Sequence, residues 1–179
     1  MRIVAGRLGG RRLLAPRGSA TRPTSDRVRE ALFSILGNVE GLRVLDLFAG
    51  SGALAIEALS RGAAAATLVD SSAAAVKVIR RNLELLQLDA DVQKQDALRY
   101  LRAARISAPQ YDLVLLDPPY GETISLGREL AAALPPVLAP SARVVAESDR
   151  RAPLELALQL LDERRYGDTL IRIYDVPAR

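Results

Sequence analysis

Residues 45–62 read LDLFAGSGALAIEALSRG. An apolar run stops at Gly50 and Gly52, and helical spacing follows until Gly62. A strand that turns sharply into a helix needs residues without a Cβ, and the same lack lets a ligand approach the backbone. G-S-G-A-L-A also fits the G-x-G-x-x-G/A pattern of dinucleotide sites, so the loop alone leaves open a simple tight turn, a dinucleotide or another adenosine ligand. Outward from this stretch the chain repeats the same unit. RVLDLFAG (43–50), ATLVD (66–70), DVQKQDA (91–97), YDLVLLDPPY (111–120), ARVVAES (142–148) and DTLIRIYDV (168–176) read as strands. SGALAIEALSRG (51–62), AAAVKVIRRNLELLQL (73–88), LGRELAAALPPVL (126–138) and PLELALQLLDERR (153–165) read as helices. Short continuous apolar strands alternating with helices imply a parallel sheet covered on both faces, a doubly wound α/β fold.

The N-terminal part is different. MRIVAGRLGGRRLLAP (1–16) suggests two short strands around a Gly9-Gly10 turn, and Ser25 or Asp26 can cap a helix that ends near Gly37. Residues 1–30 hold eight arginines against Asp26 and Glu30, a balance of +6, while the remaining chain has 17 basic and 19 acidic residues. A basic arm on a nearly neutral body is the footprint of a phosphate-backbone partner, although a solvated arm is the plainer alternative. We therefore divide the 179 residues into a basic hairpin arm, 1–20, and one α/β domain, 21–179. Arginines interrupt the N-terminus before any signal-like apolar run develops, and no stretch has the length of a membrane span. A soluble cytoplasmic protein is expected. The chain has no cysteine and no histidine, which excludes disulfides, thiolate nucleophiles, Cys/His zinc sites and Ser-His-Asp triads. No metal site is expected, and the chemistry falls to carboxylates, backbone groups or a cofactor.

Acids close several of the strands. Asp70 ends the second strand 18 residues after Gly52, where a carboxylate can accept from both ribose hydroxyls of an adenosine. Nicotinamide and adenosylmethionine enzymes share that contact. Asp46 beside the glycines favours the second, because it suits a ligand with a free amino group and repels a pyrophosphate. Asp96, at the third strand's end, is placed to reach an adenine amine, and reads equally well as a solvated strand end. LLDPPYGE (115–122) then ends a strand on an acid, two prolines and a ring. An exocyclic amine is a poor nucleophile, and methylating it calls for acceptors on its N–H bonds. Asp117 and the Pro118 carbonyl can take one each, Pro118 and Pro119 hold them rigidly, and Tyr120 can stack on the base. A Pro-Pro turn with a packed tyrosine is the structural alternative. Pro135-Pro136 lacks the acid and the ring and reads as a helix stop.

Taken together, DLFAGSG, VD, QDA and DPPY resemble the class I S-adenosylmethionine-dependent methyltransferases that act on exocyclic amines. RPTSDRVREALFSIL (22–36), the arm and RRYGDTLIRIY (164–174) make the chain similar, over nearly its whole length, to the RsmD family of 16S rRNA guanine-N2 methyltransferases. That resemblance implies a Rossmann-like sheet and S-adenosylmethionine as cofactor, held by Asp46, Phe48, Gly50, Gly52, Asp70, Asp96 and Ala97. It implies 16S rRNA or a small-subunit particle as partner, and catalysis by Asp117, Pro118, Pro119 and Tyr120. Arg2, Arg7, Arg11 and Arg12 are the arm's RNA candidates. By resemblance Arg22 and Thr24 lie near the target base, while Arg27 and Arg29 read equally well as RNA contacts or solvated helix positions. An adenine-N6 methylase, a nicotinamide-dependent reductase and a non-catalytic RNA-binding module are the competing readings.

Overall fold

The strand-helix alternation places its elements as follows. The chain, described by a computed structural model over residues 1–16, 25–104, 110–119 and 123–176, begins with an irregular segment and then α1, Asp26–Leu36. Ser25 caps α1 by accepting the Val28 N–H at 3.3 Å, and Gly37 closes it at φ 69°. The alternating part follows as β1 Arg43–Leu47, α2 Ala53–Ser60, β2 Ala65–Asp70, α3 Ala73–Leu86, β3 Asp91–Lys94, α4 Ala97–Ala104 and β4 Tyr111–Leu116. Next come α5 Thr123–Ala133, a 3-10 turn Pro135–Val137, and β5 Leu138–Asp149. Two last strands, β6 Gln159–Tyr166 and β7 Thr169–Asp175, finish the described chain. Helix α5 stops just ahead of Pro135-Pro136, as the lost amide and the ring clash require.

One sheet holds all seven strands in the order β3-β2-β1-β4-β5-β7-β6. The first five are parallel, and β7 joins β5 antiparallel, with β6 beyond it. Alternate residues feed two cores. Val44, Leu113, Leu115 and Val145 pack with α1, α2 and α3, whereas Leu45, Leu47, Val114, Leu116 and Val144 pack with α4 and α5. Burial on both faces explains why these strands are continuously apolar.

Two expectations need correction. PLELALQLLDERR is not a helix: 153–158 is irregular, and from Gln159 the chain is strand β6, hairpinned to β7 through Gly167-Asp168. Leu154, Leu156, Leu158 and Leu160 recur every second residue, a strand period that also satisfies part of a helical one. A bulge at Leu161, between the pairs Leu160–Tyr174 and Asp162–Ile173, breaks the alternation and left the helical reading attractive. The sheet is consequently mixed rather than wholly parallel. The N-terminal hairpin, in turn, is reduced to one antiparallel bridge, Arg2–Arg12, with Ile3 N–H to Arg11 O (2.9 Å) and Leu13 N–H to Met1 O (3.1 Å) beside it.

The missing hairpin bonds go to the body instead. Glu57, fully buried on α2, accepts the Val4 and Ala5 N–H groups at 2.7 and 3.0 Å. The Ser60 carbonyl accepts from Arg7 N–H at 2.8 Å, and its hydroxyl accepts from Leu8 N–H at 3.0 Å. Gly6 makes this approach possible: its φ is +79°, and a Cβ there would lie 2.0 Å from the Ser60 oxygen. Ile3 and Leu13 are buried in the same core as Val44 and Leu54. Residues 1–16 are thus bound to the sheet domain by its own core and by buried polar groups.

Candidate active site

All five parallel strands point their C-terminal ends to one edge, and each delivers an acid there. Asp46 lies in β1 and Asp70 ends β2. Asp96 follows β3, Asp117 follows β4, and Glu147 lies near the end of β5. Because Leu116 pairs with both Leu47 and Ala146, Asp117 and Glu147 stand side by side, with Asp46 on the neighbouring strand. A cleft of about 470 Å³ opens over this edge. Asp46, Phe48, Gly50, Asp70, Asp96, Ala97, Asp117 and Pro119 all line it. The structure therefore gathers two sequence motifs, the glycine loop and DPP, around one space.

Strain and hydrogen bonds shape the glycine loop. Phe48 has φ 65°, a left-handed conformation that costs a non-glycine residue roughly 1–2 kcal/mol. Gly50, at φ 57°, donates its N–H to Asp70 Oδ2 at 2.8 Å, and Asp70 Oδ1 accepts from Ser72 N–H at 2.8 Å. Each carboxylate oxygen keeps a second lone pair for a hydroxyl. Gly52 serves a different surface. It does not line the cleft, and a Cβ there would meet Leu68 Cδ2 at 2.9 Å and Ile56 Cδ1 at 3.3 Å. Its bare Cα lets the start of α2 pack down on β2. Asp96 is exposed and caps α4, Oδ1 accepting from Arg99 N–H at 2.9 Å, so the helix start at Ala97 faces the cleft.

The floor is acidic. Asp46 is 1% exposed and accepts the Ala55 N–H at 3.2 Å. Burial, opposed by that hydrogen bond and reinforced by Asp70, pushes its carboxyl up from 3.8 to about 7. Asp117 reaches the cleft surface, yet enough protein surrounds its carboxyl that burial, then Glu147 and Asp46, holds it well above the usual carboxylate range. Among the described residues lining the cleft there is no lysine or arginine. Such a lining fits a cationic, amine-bearing ligand and opposes a pyrophosphate. No cluster of acids with metal-holding geometry occurs among the described residues.

The basic residues are divided. Arg7, Arg11, Arg12 and Arg27 are exposed, and Arg11 donates to the Leu85 carbonyl at 3.2 Å. Arg2 pairs with Asp26 at 3.4 Å. Arg29 is neither solvated nor placed to meet RNA: it is fully buried, bonded to Asp26 Oδ1 at 2.8 Å and to the Arg2 carbonyl. Arg22, Thr24 and Tyr120 lie outside the described residues. Pro118 is buried behind Asp117, and Pro119 is exposed.

Several contributors were not read from the sequence. Met1, Ala15 and Pro16 line the cleft, so both ends of the N-terminal segment border it. Glu57 and Ser60 of α2 and Asn82 of α3, all buried polar groups, hold that segment in place. Glu147 had a visible signal, an acid closing an apolar strand in the manner of Asp70. Glu57 had one too, a lone charge inside the apolar run ALAIEALS. Asn82 in RRNLELL had none, since an asparagine there looks like any polar helix position.

The family model described as "Conserved hypothetical protein 95" matches residues 1–175. A putative rRNA methyltransferase, YlbH, of Bacillus subtilis is 40% identical over 185 residues, spanning 97% of this chain and 98% of that protein. The ribosomal RNA small subunit methyltransferase D of Escherichia coli is 42% identical over 133 residues, 70% of this chain and 66% of its own. In structure, the putative methyltransferase yhhF from Escherichia coli superposes with a TM-score of 0.83 at 33% identity, covering 100% of this chain and 99% of that one. A shared model over nearly the full length, joined to a methyltransferase sheet with its glycine loop and DPP at one cleft, shows that the chain belongs to the Conserved hypothetical protein 95 family, the RsmD-type methyltransferases.

Proposed function

We propose that this protein methylates the exocyclic N2 amine of a guanine in 16S, small-subunit, rRNA, with S-adenosylmethionine as methyl donor. The observation that carries the reading is the meeting of an acid-lined cleft, free of lysine and arginine among its described residues, with Asp117 and Pro119 of the DPP motif in its lining. The donor, when bound, supplies an electrophilic methyl group on a positively charged sulfur. Asp70 accepts from ribose hydroxyls with the lone pairs that Gly50 and Ser72 leave free. Asp96 and the Ala97 N–H meet the adenine edge, Phe48 borders it, and Asp46 faces the amino end.

Asp117 and the Pro118 carbonyl accept the two N–H bonds of the target amine, turning its lone pair toward the methyl group. Asp117 accepts best when ionised; burial raises its pKa, and a positively charged donor held in the same cleft would favour the ionised form. Tyr120 stacks on the extruded base. After transfer the nitrogen is acidic and releases its proton to solvent, which suits a chain without histidine. Residues 1–20, through Arg2, Arg7, Arg11 and Arg12, meet RNA phosphates, joined by Arg22, Thr24 and Arg27 nearer the base. A ribosomal substrate implies work in the cytoplasm. Among the described residues no helix is long and apolar enough to cross a membrane.

The test is methylation of small-subunit rRNA and of the assembled particle, followed by nucleoside analysis. N2-methylguanosine is the expected product. N6-methyladenosine would move the protein to the adenine-directed branch of the same chemistry, and no methyl transfer to either substrate would overturn the reading.

A further inference from the structure

Asn82 is an asparagine with 1% exposure on α3, and its side chain is spent on two separate parts of the chain. Oδ1 accepts the Leu14 N–H at 2.9 Å. Nδ2 donates one hydrogen to the Leu14 carbonyl and the other to the Ser51 carbonyl, both at 3.0 Å. Ser51 belongs to the glycine loop and lines the cleft, and so do Ala15 and Pro16, which directly follow Leu14. Three and two residues before Leu14 the chain carries Arg11 and Arg12. One buried amide therefore holds a cofactor wall and the exit of the basic segment in fixed relation.

The chemistry is specific to an amide of this length. A carboxylate could satisfy the Leu14 N–H but would face two carbonyl oxygens, and an apolar side chain would leave three partly buried backbone groups without this partner. The other buried polar anchors, Glu57, Ser60 and Arg29, hold Arg2, Val4, Ala5, Arg7 and Leu8, none of which lines the cleft. Asn82 bonds both the loop and the segment from a third element, and the Ser51 hydroxyl adds a weak direct contact from the loop to the Met1 sulfur at 3.9 Å.

We infer that Asn82 is a positioning residue that makes the donor cleft and the RNA-facing N-terminal segment one cooperative unit, so that filling the cleft tightens the segment's attachment. The inference rests on the donor assignment above. Linkage is reciprocal, so RNA held by the segment would likewise strengthen donor binding. A residue that only stabilised the fold would give neither effect.

The experiment uses the full chain and S-adenosylhomocysteine, with binding followed by calorimetry and amide hydrogen exchange read with and without the ligand. The probes are the Ile3, Gly10 and Leu13 amides, which are bonded inside the segment and do not line the cleft. In the wild type the ligand is expected to slow their exchange by about fivefold or more, the lower end of ordinary coupling between sites. In Asn82→Ala and in the bulkier Asn82→Leu the slowing is expected to vanish there and persist at Gly50 and Gly52. Equal slowing in a folded variant overturns the role of Asn82. A wild type that binds the ligand without slowing these amides overturns the cooperativity, whether or not either variant folds. A wild type that does not bind the ligand removes the donor assignment itself, and calorimetry tells this outcome apart from the others.

Discussion

At the scale of single residues, the acids of the cleft do work against the fold. Asp46 is held neutral by burial to about pH 7, whereas the unfolded chain ionises it near 3.8. Between those values the folded state carries a proton that the unfolded state has lost, so stability falls as pH rises through the interval and levels off above it. For a shift of this size, raising the pH from 5 to 8 costs roughly 2–3 kcal/mol. Denaturant unfolding of the ligand-free protein at the two pH values should show that loss, and Asp46→Asn should flatten it. An unchanged pH slope in the variant would rule out Asp46 as its source. Asp117 makes a kinetic counterpart. Its pKa is also raised, so if the ionised carboxyl is the acceptor, the single-turnover rate should climb with pH above the usual carboxylate range. Asp117→Asn should be slower by roughly 10²–10³ and insensitive to pH over the same span. Wild-type turnover in that variant would reduce DPP to a rigid turn.

At the scale of elements, legibility followed how many constraints each segment obeyed. The strands β1, β2 and β4 were readable because both their faces are buried, which writes an unbroken apolar run into the sequence. The acids on their ends, which the structure brings to one cleft, came with them, since an acid closing such a run has few structural reasons to be there. The segment 153–165 was misread because its leucines fit two periods, and only pairing to β7, which no local pattern announces, selects the strand. Asn82 and Glu57 were illegible as anchors for a related reason. Their partners lie 68 and 53 residues away in the chain, so their meaning exists only after folding. The N-terminal segment offers a direct check. A detachable arm could be removed without harm, but Ile3 is 1% exposed in the core shared with Leu32 and Phe33. Ile3→Ala should therefore lower stability by about 2–4 kcal/mol, as for other buried aliphatic truncations. A loss below about 0.5 kcal/mol, the range of surface changes, would mean the segment is a loose arm after all.

At the scale of the whole molecule, the question is which face meets the RNA, and the ion pairs decide more than the net charge. Two arginine-rich regions compete, the N-terminal segment and the β6–β7 hairpin with the turn after β5. In the second, each arginine already has an acid: Arg150 and Arg151 share Asp168 at 3.2 and 3.9 Å, and Arg165 and Arg172 share Glu163 at 3.0 and 2.9 Å. Among the described residues Arg7, Arg11 and Arg12 form no ion pair and are exposed. Phosphates would have to displace carboxylates at the hairpin, whereas at Arg7, Arg11 and Arg12 they would compete with no carboxylate, only with solvent and the Leu85 carbonyl that Arg11 meets. The segment also borders the cleft at Met1, Ala15 and Pro16, whereas Arg7 and Arg11 are held near the C-terminal ends of α2 and α3, at Ser60 and Leu85. Removing the segment would confuse this with the lost core packing of Ile3 and Leu13, and charge substitution avoids that. The triple variant Arg7→Gln, Arg11→Gln, Arg12→Gln should keep its thermal stability and its S-adenosylhomocysteine affinity. Its RNA affinity should fall, and the slope of log affinity against log salt should shrink by about 2, the loss of three contacts at about 0.7 each for single-stranded RNA. The matching variant Arg150→Gln, Arg151→Gln, Arg165→Gln should leave that slope almost unchanged. If the second variant flattens the salt dependence and the first does not, the RNA runs across the β6–β7 face, and the arginines of the N-terminal segment are only solvated.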